Sequence, residues 1–277
     1  MGVDQWWING QPGTSINISD RGLMYGDGLF ETIAVRGSQP RFLELHLDRL
    51  LLGCQRLQIL PPAREALHRN LVSAAGTLRH GVLKVVLTRG SGPRGYALPE
   101  TPMPTVAWGV METAAASSAA IAVRWCATMA SVNPATAGLK TLCRLDQVLA
   151  RAEWSGQPFA EGLMRDATGR LIGGTASNVF VVRDGRLLTP AVSTAGIAGV
   201  MRRVVLEQAR LHGLSAQETE LDPADLHSAA EVFVTNALSG IRPVHRLDDQ
   251  IWNTGPVTQR LGELLVAAGV EECAAGY

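Results

Sequence analysis

Two periodicities divide the chain. Runs dense in β-branched, aliphatic and aromatic residues, at 6–9, 31–35, 82–87 and 104–110, read as strands. Among them, residues 42–60 place apolar side chains at helical spacing and stop at Pro61-Pro62. After a stretch of small residues, 114–120, the mixture resumes. Residues 121–125, 162–165, 179–182 and 231–235 read as strands. Residues 142–154 read as a helix with an apolar face at Leu145, Val148, Leu149 and Ala152; 200–212 is a helix closed by Gly213, and 256–268 a terminal helix. Arg183-Asp184-Gly185-Arg186 signals a hairpin, because Asp-Gly supplies positive φ at little cost. Strands and helices mix without a regular βαβ rhythm, which predicts an α+β fold and argues against a doubly wound sheet. The expected organisation is two lobes: an N-terminal α/β lobe over 1–113, an interlobe linker over 114–120 and a C-terminal lobe over 121–277.

Composition narrows the function classes. Of 277 residues, 46% are apolar and 18% charged, which is globular composition rather than disorder. Lys+Arg and Asp+Glu each total 25, so no net charge draws the chain to nucleic acid or an anionic membrane. No apolar run reaches the ~18 residues of a spanning helix. Residues 1–10 carry Asp4 and lack a basic start followed by an apolar stretch, so no signal peptide is expected. Cys54, Cys126, Cys143 and Cys273 are scattered, without a Cys-x-x-Cys pair. They are expected as free thiols in a reducing cytoplasm, not as a disulfide framework or metal site.

Lys84 and Lys140 are the only lysines; every other basic residue is arginine. A lysine kept in so arginine-rich a chain is a candidate amine, since lysine deprotonates and forms imines and arginine does not. Lys84 lies within the apolar run 82–87 and is expected to face solvent at a strand edge. Lys140 directly precedes the predicted helix, whose dipole and burial would favour a reactive amine. Segment 20–32 packs Gly22, Gly26 and Gly28 among charged and aromatic residues ahead of a strand, the pattern of a site or an interface. Segment 88–96 is a flexible loop carrying Arg89, Arg94 and Tyr96, and arginine's planar fork suits a carboxylate. Gly196-Ile197-Ala198-Gly199 opens a helix, whose N-terminal amides suit a phosphate, and the turn 235–240 offers further donors.

At this point the chain resembles a known group. Segments 21–32 and 89–96, with Gly138-Leu139-Lys140, Glu161-Gly162-Leu163, Ser177-Asn178-Val179-Phe180 and Asn236-Ala237-Leu238, are similar in kind and order to those of fold type IV pyridoxal-phosphate (PLP) enzymes, the class IV aminotransferase family. That group includes branched-chain and D-amino-acid aminotransferases and aminodeoxychorismate lyases. Thr88-Arg89-Gly90-Ser91-Gly92 continuing to Arg94-Gly95-Tyr96, and 144–149 after the lysine, look most like the lyases.

The resemblance implies a two-lobe, D-amino-acid-aminotransferase-like fold with PLP in the interlobe cleft, a PLP-binding C-terminal lobe and a homodimer. It implies that Lys140 holds PLP as an imine and is the catalytic base. Arg49, the helix-start amides of Val200 and Met201, and the turn at Ala237 and Leu238 would hold the phosphate, with Ser177 and Asn178 also at the cofactor. Tyr25, Arg94 and Tyr96 would meet substrate. The implied reaction converts 4-amino-4-deoxychorismate to 4-aminobenzoate and pyruvate, in folate biosynthesis. An aminotransferase of the same fold, and a PLP-fold protein with lost or altered catalysis, are the alternatives. Two departures bear on the choice. The usual Lys-His-Leu-Asn is Lys140-Thr141-Leu142-Cys143 here, and the glutamate that pairs with the PLP pyridine nitrogen is replaced by Gly173.

Overall fold

The computed structural model describes residues 5–114 and 117–275. Two members of the predicted linker, Ala115 and Ala116, lie outside the described residues. The chain divides into two compact units, Met1–Ala115 with Leu139–Cys143, and Ala116–Gly138 with Arg144–Tyr277. The short segment bearing Lys140 is thus grouped with the first unit, although the sequence around it runs through the second.

In the first unit the described residues form a six-stranded antiparallel sheet. Its order is Gln11–Pro12, Gln5–Ile8, Thr105–Glu112, His80–Thr88, Gly28–Arg36, Gln39–Pro40. Side chains alternate between faces along a strand. Leu29, Ile33 and Val35, with Leu83, Val85 and Leu87, are accordingly buried together against Leu47 and Leu50 of helix Leu43–Leu57 and Leu67 and Leu71 of helix Arg64–Ala75. Each such side chain contributes about 1.5–3 kcal/mol on burial. Phe30, Thr32 and Lys84 occupy the alternate positions, with Thr32 paired to Lys84 across the two strands. The first helix ends at Gln58, in the left-handed conformation at φ 54°, ahead of the proline pair. The sequence pattern did not separate the second helix, Arg64–Ala75, whose burial of Leu67, Leu71, Ala74 and Ala75 follows helical spacing.

The described residues of the second unit form a mixed sheet. Its main path runs Ala216–Thr219, Arg186–Pro190, Asn178–Arg183, Glu231–Asn236, Gly240–Leu247, Ile121–Trp125, Glu161–Arg165, Leu171–Gly174. Asp184 and Gly185 at φ 50° and 72° make the tight turn joining Asn178–Arg183 to Arg186–Pro190, as the Asp-Gly signal predicts. Val179, Val181, Val232, Val234 and Val244 share the core, and Phe180 stacks on Phe233 with centroids 4.9 Å apart. Helix Pro256–Ala267 starts beside the buried Glu231, whose carboxylate accepts from the amides of Val257 (3.1 Å) and Thr258 (2.7 Å). The helix predicted over 142–154 is shorter, Leu145–Ala152, and its apolar face is outward: Leu145 is 72% exposed, Val148 61% and Leu149 57%. Among the described residues no helix is long and apolar enough to cross a membrane. All four cysteines are free thiols.

Candidate functional site

Lys140 is held as part of an extra strand segment. The Phe30 amide donates to the Lys140 carbonyl (3.0 Å), the Leu142 amide donates to the Gly28 carbonyl (3.0 Å), and Leu29 bridges Thr141. The glycines of the Gly26-Asp27-Gly28 motif make this close approach possible. A Cβ on Gly28 would meet the Leu87 carbonyl oxygen at 2.5 Å, and one on Gly26, at φ +67°, would meet Cys143 Sγ at 2.5 Å. The helix that the sequence places next to Lys140 begins five residues later, at Leu145, so Lys140 lies outside that helix's first turn, where its dipole would act.

Lys140 Nζ lies 4.2 Å from the centroid of the Phe30 ring, and Lys84 Nζ lies 3.8 Å from the same centroid. The chain's two lysines therefore meet at one aromatic ring. The expectation that Lys84 faces solvent at a sheet edge is corrected. Its strand runs between Thr105–Glu112 and Gly28–Arg36, and the side chain is half-buried. Burial lowers the Lys84 pKa, opposed by the charge of Glu31. Its ammonium donates to Thr32 Oγ1 at 3.3 Å.

Glu31 interrupts the apolar positions of its strand on the face that packs against helix Leu43–Leu57. There it accepts from Arg49 through Nε (2.7 Å to Oε1) and Nη2 (2.5 Å to Oε2), and its Oε2 lies 2.6 Å from His46 Nδ1. Burial works against the Glu31 carboxylate, but the Arg49 charge and the His46 and Arg49 hydrogen bonds outweigh it and bring its pKa down to about 2. Burial also lowers the His46 pKa, against the pull of Glu31. A neutral imidazole donating Nδ1–H to the carboxylate accounts for both. Arg49, the residue implied for a phosphate, thus has its fork oriented by an anion on the neighbouring strand.

Tyr25 ends helix Arg21–Tyr25; its hydroxyl accepts from the Gly95 amide (3.3 Å), and its ring centroid lies 5.5 Å from that of Tyr96. Arg94 and Tyr96 are exposed, Tyr96 at 85%.

The remaining implied residues belong to the second unit. Asn178 Nδ2 donates to the Ile197 carbonyl at 2.8 Å, and a Cβ on Gly199 would collide with Asn178 Oδ1. Asn178 therefore shapes the turn that opens helix Val200–Leu211. That helix has Gly199 as N-cap, no side-chain cap and no acid in its first turn, so Val200 and Met201 head an N-terminus suited to an anion. Gly138 is tied to the same turn, donating to Gly196 O and accepting from Ala198 N. Ser177 Oγ donates to Glu161 Oε2 (2.7 Å), and Glu161 also accepts from Thr175 and from the amides of Gly162 and Ala176. The turn at Ala237 and Leu238 closes on Asn236, whose Oδ1 accepts from the amides of Leu238 (3.0 Å) and Ser239 (2.9 Å).

Gly173 pairs with Met164, and Gly174 with Leu163, so the two glycines look to opposite faces of their strand. Glu161 lies on the Gly174 side, 2.9 Å from an ideal Cβ there. This buried acid therefore does not take the place of a carboxylate at 173. Sequence reasoning gave no role to Glu31, His46, Thr32 or Glu161. The available signal was a lone acid among buried alternate positions at 29–35.

The family model described as amino-transferase class IV matches residues 28–247. An aminodeoxychorismate lyase of Vibrio harveyi is 33% identical over 243 residues, covering 86% of this chain and 90% of that protein. The crystal structure of 4-amino-4-deoxychorismate lyase from Pseudomonas aeruginosa superposes with a TM-score of 0.89 at 42% identity, covering 95% of this chain and 98% of that one. A hypothetical aminotransferase from Mycobacterium tuberculosis, solved in its PLP-bound form, shares the fold at a TM-score of 0.82 and 20% identity, over 97% of this chain and 99% of that one. The match across the Lys140 segment, the Arg49 helix and the Gly199 helix start makes the conclusion direct: the chain belongs to the amino-transferase class IV family.

Proposed function

We propose that this chain is a PLP-dependent lyase that converts 4-amino-4-deoxychorismate to 4-aminobenzoate and pyruvate, acting in the cytoplasm in folate biosynthesis. The residues present fit the cofactor. An amine rests against an aromatic face, an arginine is pre-aimed by a buried acid, and a helix N-terminus has neither acid nor side-chain cap. When bound, PLP supplies an electron sink for a bond broken next to the substrate's amine-bearing carbon. By resemblance to the family, Arg49 and the first amides of helix Val200–Leu211 would each serve the phosphate. Lys140 Nζ would hold the cofactor through its aldehyde carbon. As a free amine, Lys140 would take the proton from the substrate carbon bearing the nitrogen and return a proton to the methylene carbon of the departing pyruvate. Tyr25, Arg94 and Tyr96 take the substrate, which carries two carboxylates. Lys84, a half-buried ammonium held by a hydroxyl and a ring, suits one of them.

The observation that carries the lyase reading over a general aminotransferase is the 42% identity to a lyase along 95% of the chain. The two lysines converging on Phe30 supply the chemistry that this reading needs. The test is stoichiometry: purified enzyme with aminodeoxychorismate should release 4-aminobenzoate and pyruvate in equal amounts. Formation of an amino-group transfer product instead would replace this reading with the aminotransferase one. A homodimer accompanies the proposal. The exposed Leu145, Val148 and Leu149, with Met129 and Val132 on a segment tied to the same helix through Ser131 and Asp146, suit a second copy of the chain.

Gly173 sharpens the distinction. A carboxylate at this position would favour a protonated pyridine nitrogen, and glycine withholds it. Aromatisation drives the lyase reaction, whereas transamination has no such help. Gly173→Glu should therefore tighten PLP binding by roughly tenfold or more, the effect of one charge-assisted hydrogen bond. It should also raise aminotransferase activity by a larger factor than lyase activity. An ideal Cβ at 173 meets only the Ser177 carbonyl, at 3.1 Å, but φ there is +158°, at the margin of what other residues adopt, so circular dichroism of the variant comes first. A folded variant with unchanged PLP affinity and an unchanged activity ratio would refute this account of Gly173.

A further inference from the structure

The loop after strand His80–Thr88 is held by an arginine–aspartate–arginine network that the proposed chemistry does not use. Arg21, 4% exposed, donates from Nη1 to the carbonyls of Gly95 (3.0 Å) and Ala97 (3.3 Å) and from Nη2 to that of Tyr96 (3.4 Å). Its Nε donates to Asp27 Oδ2 (2.9 Å). Asp27 also accepts from Arg89 Nε (2.8 Å) and Nη2 (3.0 Å). Arg89 in turn donates to the carbonyls of Gln58 (2.6 Å) and Leu57 (2.8 Å), at the C-terminal end of the helix that carries His46 and Arg49. These three consecutive loop carbonyls lie outside the sheet's strands, and one planar guanidinium gathers them all. The Tyr25 hydroxyl takes the Gly95 amide, and the Arg21 guanidinium lies over the Tyr25 ring at 4.9 Å. Gly92 lies where a Cβ would sit 3.0 Å from Arg21 Cδ. Burial opposes the Asp27 carboxylate, but the hydrogen bonds and charges of Arg89 and Arg21 hold its pKa below the usual range.

We propose that Arg21, Asp27 and Arg89 form a latch that fixes the loop bearing Arg94 and Tyr96, and that Asp27 is a positioning residue governing how tightly the substrate's carboxylates are held rather than how fast its bonds break. Through Arg89 the latch refers the loop to the same helix that aims Arg49. A lysine at 21 keeps the charge but loses the fork, so charge and geometry separate experimentally. The inference rests on the reading that Arg94 and Tyr96 meet substrate, and its test has an arm that does not depend on turnover.

In the PLP-loaded enzyme, Asp27→Asn should raise KM for aminodeoxychorismate about tenfold, the loss of roughly one hydrogen bond's discrimination. kcat should stay within about twofold and PLP affinity should not change. Asp27→Glu should restore part of the KM. In parallel, limited trypsin digestion should cut after Arg94 about tenfold faster in Asp27→Asn than in wild type, because the loop is released. Arg21→Lys should reproduce both effects, and it decides the matter if Asp27→Asn does not fold. Unchanged KM with unchanged cleavage, or a fall in kcat at constant KM, would overturn the latch. If wild-type enzyme makes no 4-aminobenzoate, the lyase reading falls, and the trypsin arm alone decides the latch: faster cleavage upholds it and equal cleavage removes it.

Discussion

Lys140→Ala should abolish 4-aminobenzoate formation to within the limit set by assay background, a loss of at least roughly 10²–10⁴-fold from proton transfer alone. The protein should still fold. The backbone of residue 140 does the structural work, through its carbonyl and the neighbouring Leu142 amide, and alanine keeps both. The same residue should carry the cofactor. Borohydride reduction of the loaded enzyme followed by peptide mapping should label the Lys140 peptide. Lys84 is the internal control, because it reaches the same Phe30 ring and is the chain's only other lysine. A label confined to Lys84, or full activity in Lys140→Ala, would reverse the roles.

Glu31→Gln should produce the largest stability loss in the first unit. Removing one member of a buried ionic cluster leaves the others uncompensated and costs about 3–5 kcal/mol. Here Arg49 and His46 lose the carboxylate charge, and glutamine leaves them one acceptor oxygen where there were two. Urea denaturation should show a lower midpoint, and PLP affinity should weaken because Arg49 is no longer aimed. The pH dependence follows from the same cluster. Glu31 has a folded pKa of about 2, against 4.5 for an ordinary carboxyl, so the unfolded chain binds more protons between those values. The cluster's stabilisation is complete above about pH 4.5 and is lost as the pH falls toward 2. His46, with its pKa lowered by burial, adds a loss of the same sign that begins as the pH falls below 6.5. Glu31→Gln should remove the lower step and leave the upper one. A variant as stable as wild type at neutral pH would contradict this account of the cluster.

The α+β class and the Asp-Gly hairpin were legible in the sequence because each rests on local chemistry that tertiary context does not override. The start of helix Val200–Leu211 was legible for the same reason, from a glycine turn followed by an amphipathic run. What was not legible depended on partners distant in sequence. Residues 139–143 continue the apolar pattern of the following helix, yet they are drawn out as a strand segment because Gly26 and Gly28 leave room for them. Periodicity therefore placed the helix start too early. Lys84 read as an edge residue because a lone lysine in a strand usually is one. Strand order, which the local sequence does not carry, makes its strand internal. Arg49 could be named through its resemblance to a family motif, but Glu31, 18 residues earlier, is what orients it. Arg21 and Asp27 stood out as charged residues within a glycine motif, and the loop they hold lies some 70 positions further along the chain.

The proposed function makes elimination, not amino-group transfer, the principal reaction. One preparation of PLP-loaded enzyme should be offered aminodeoxychorismate alone and, separately, D-alanine or a branched-chain amino acid with 2-oxoglutarate, with initial rates compared per active site. The account predicts that 4-aminobenzoate and pyruvate appear together and faster than glutamate forms from either amino acid. Faster glutamate formation, or no 4-aminobenzoate at all, would contradict it.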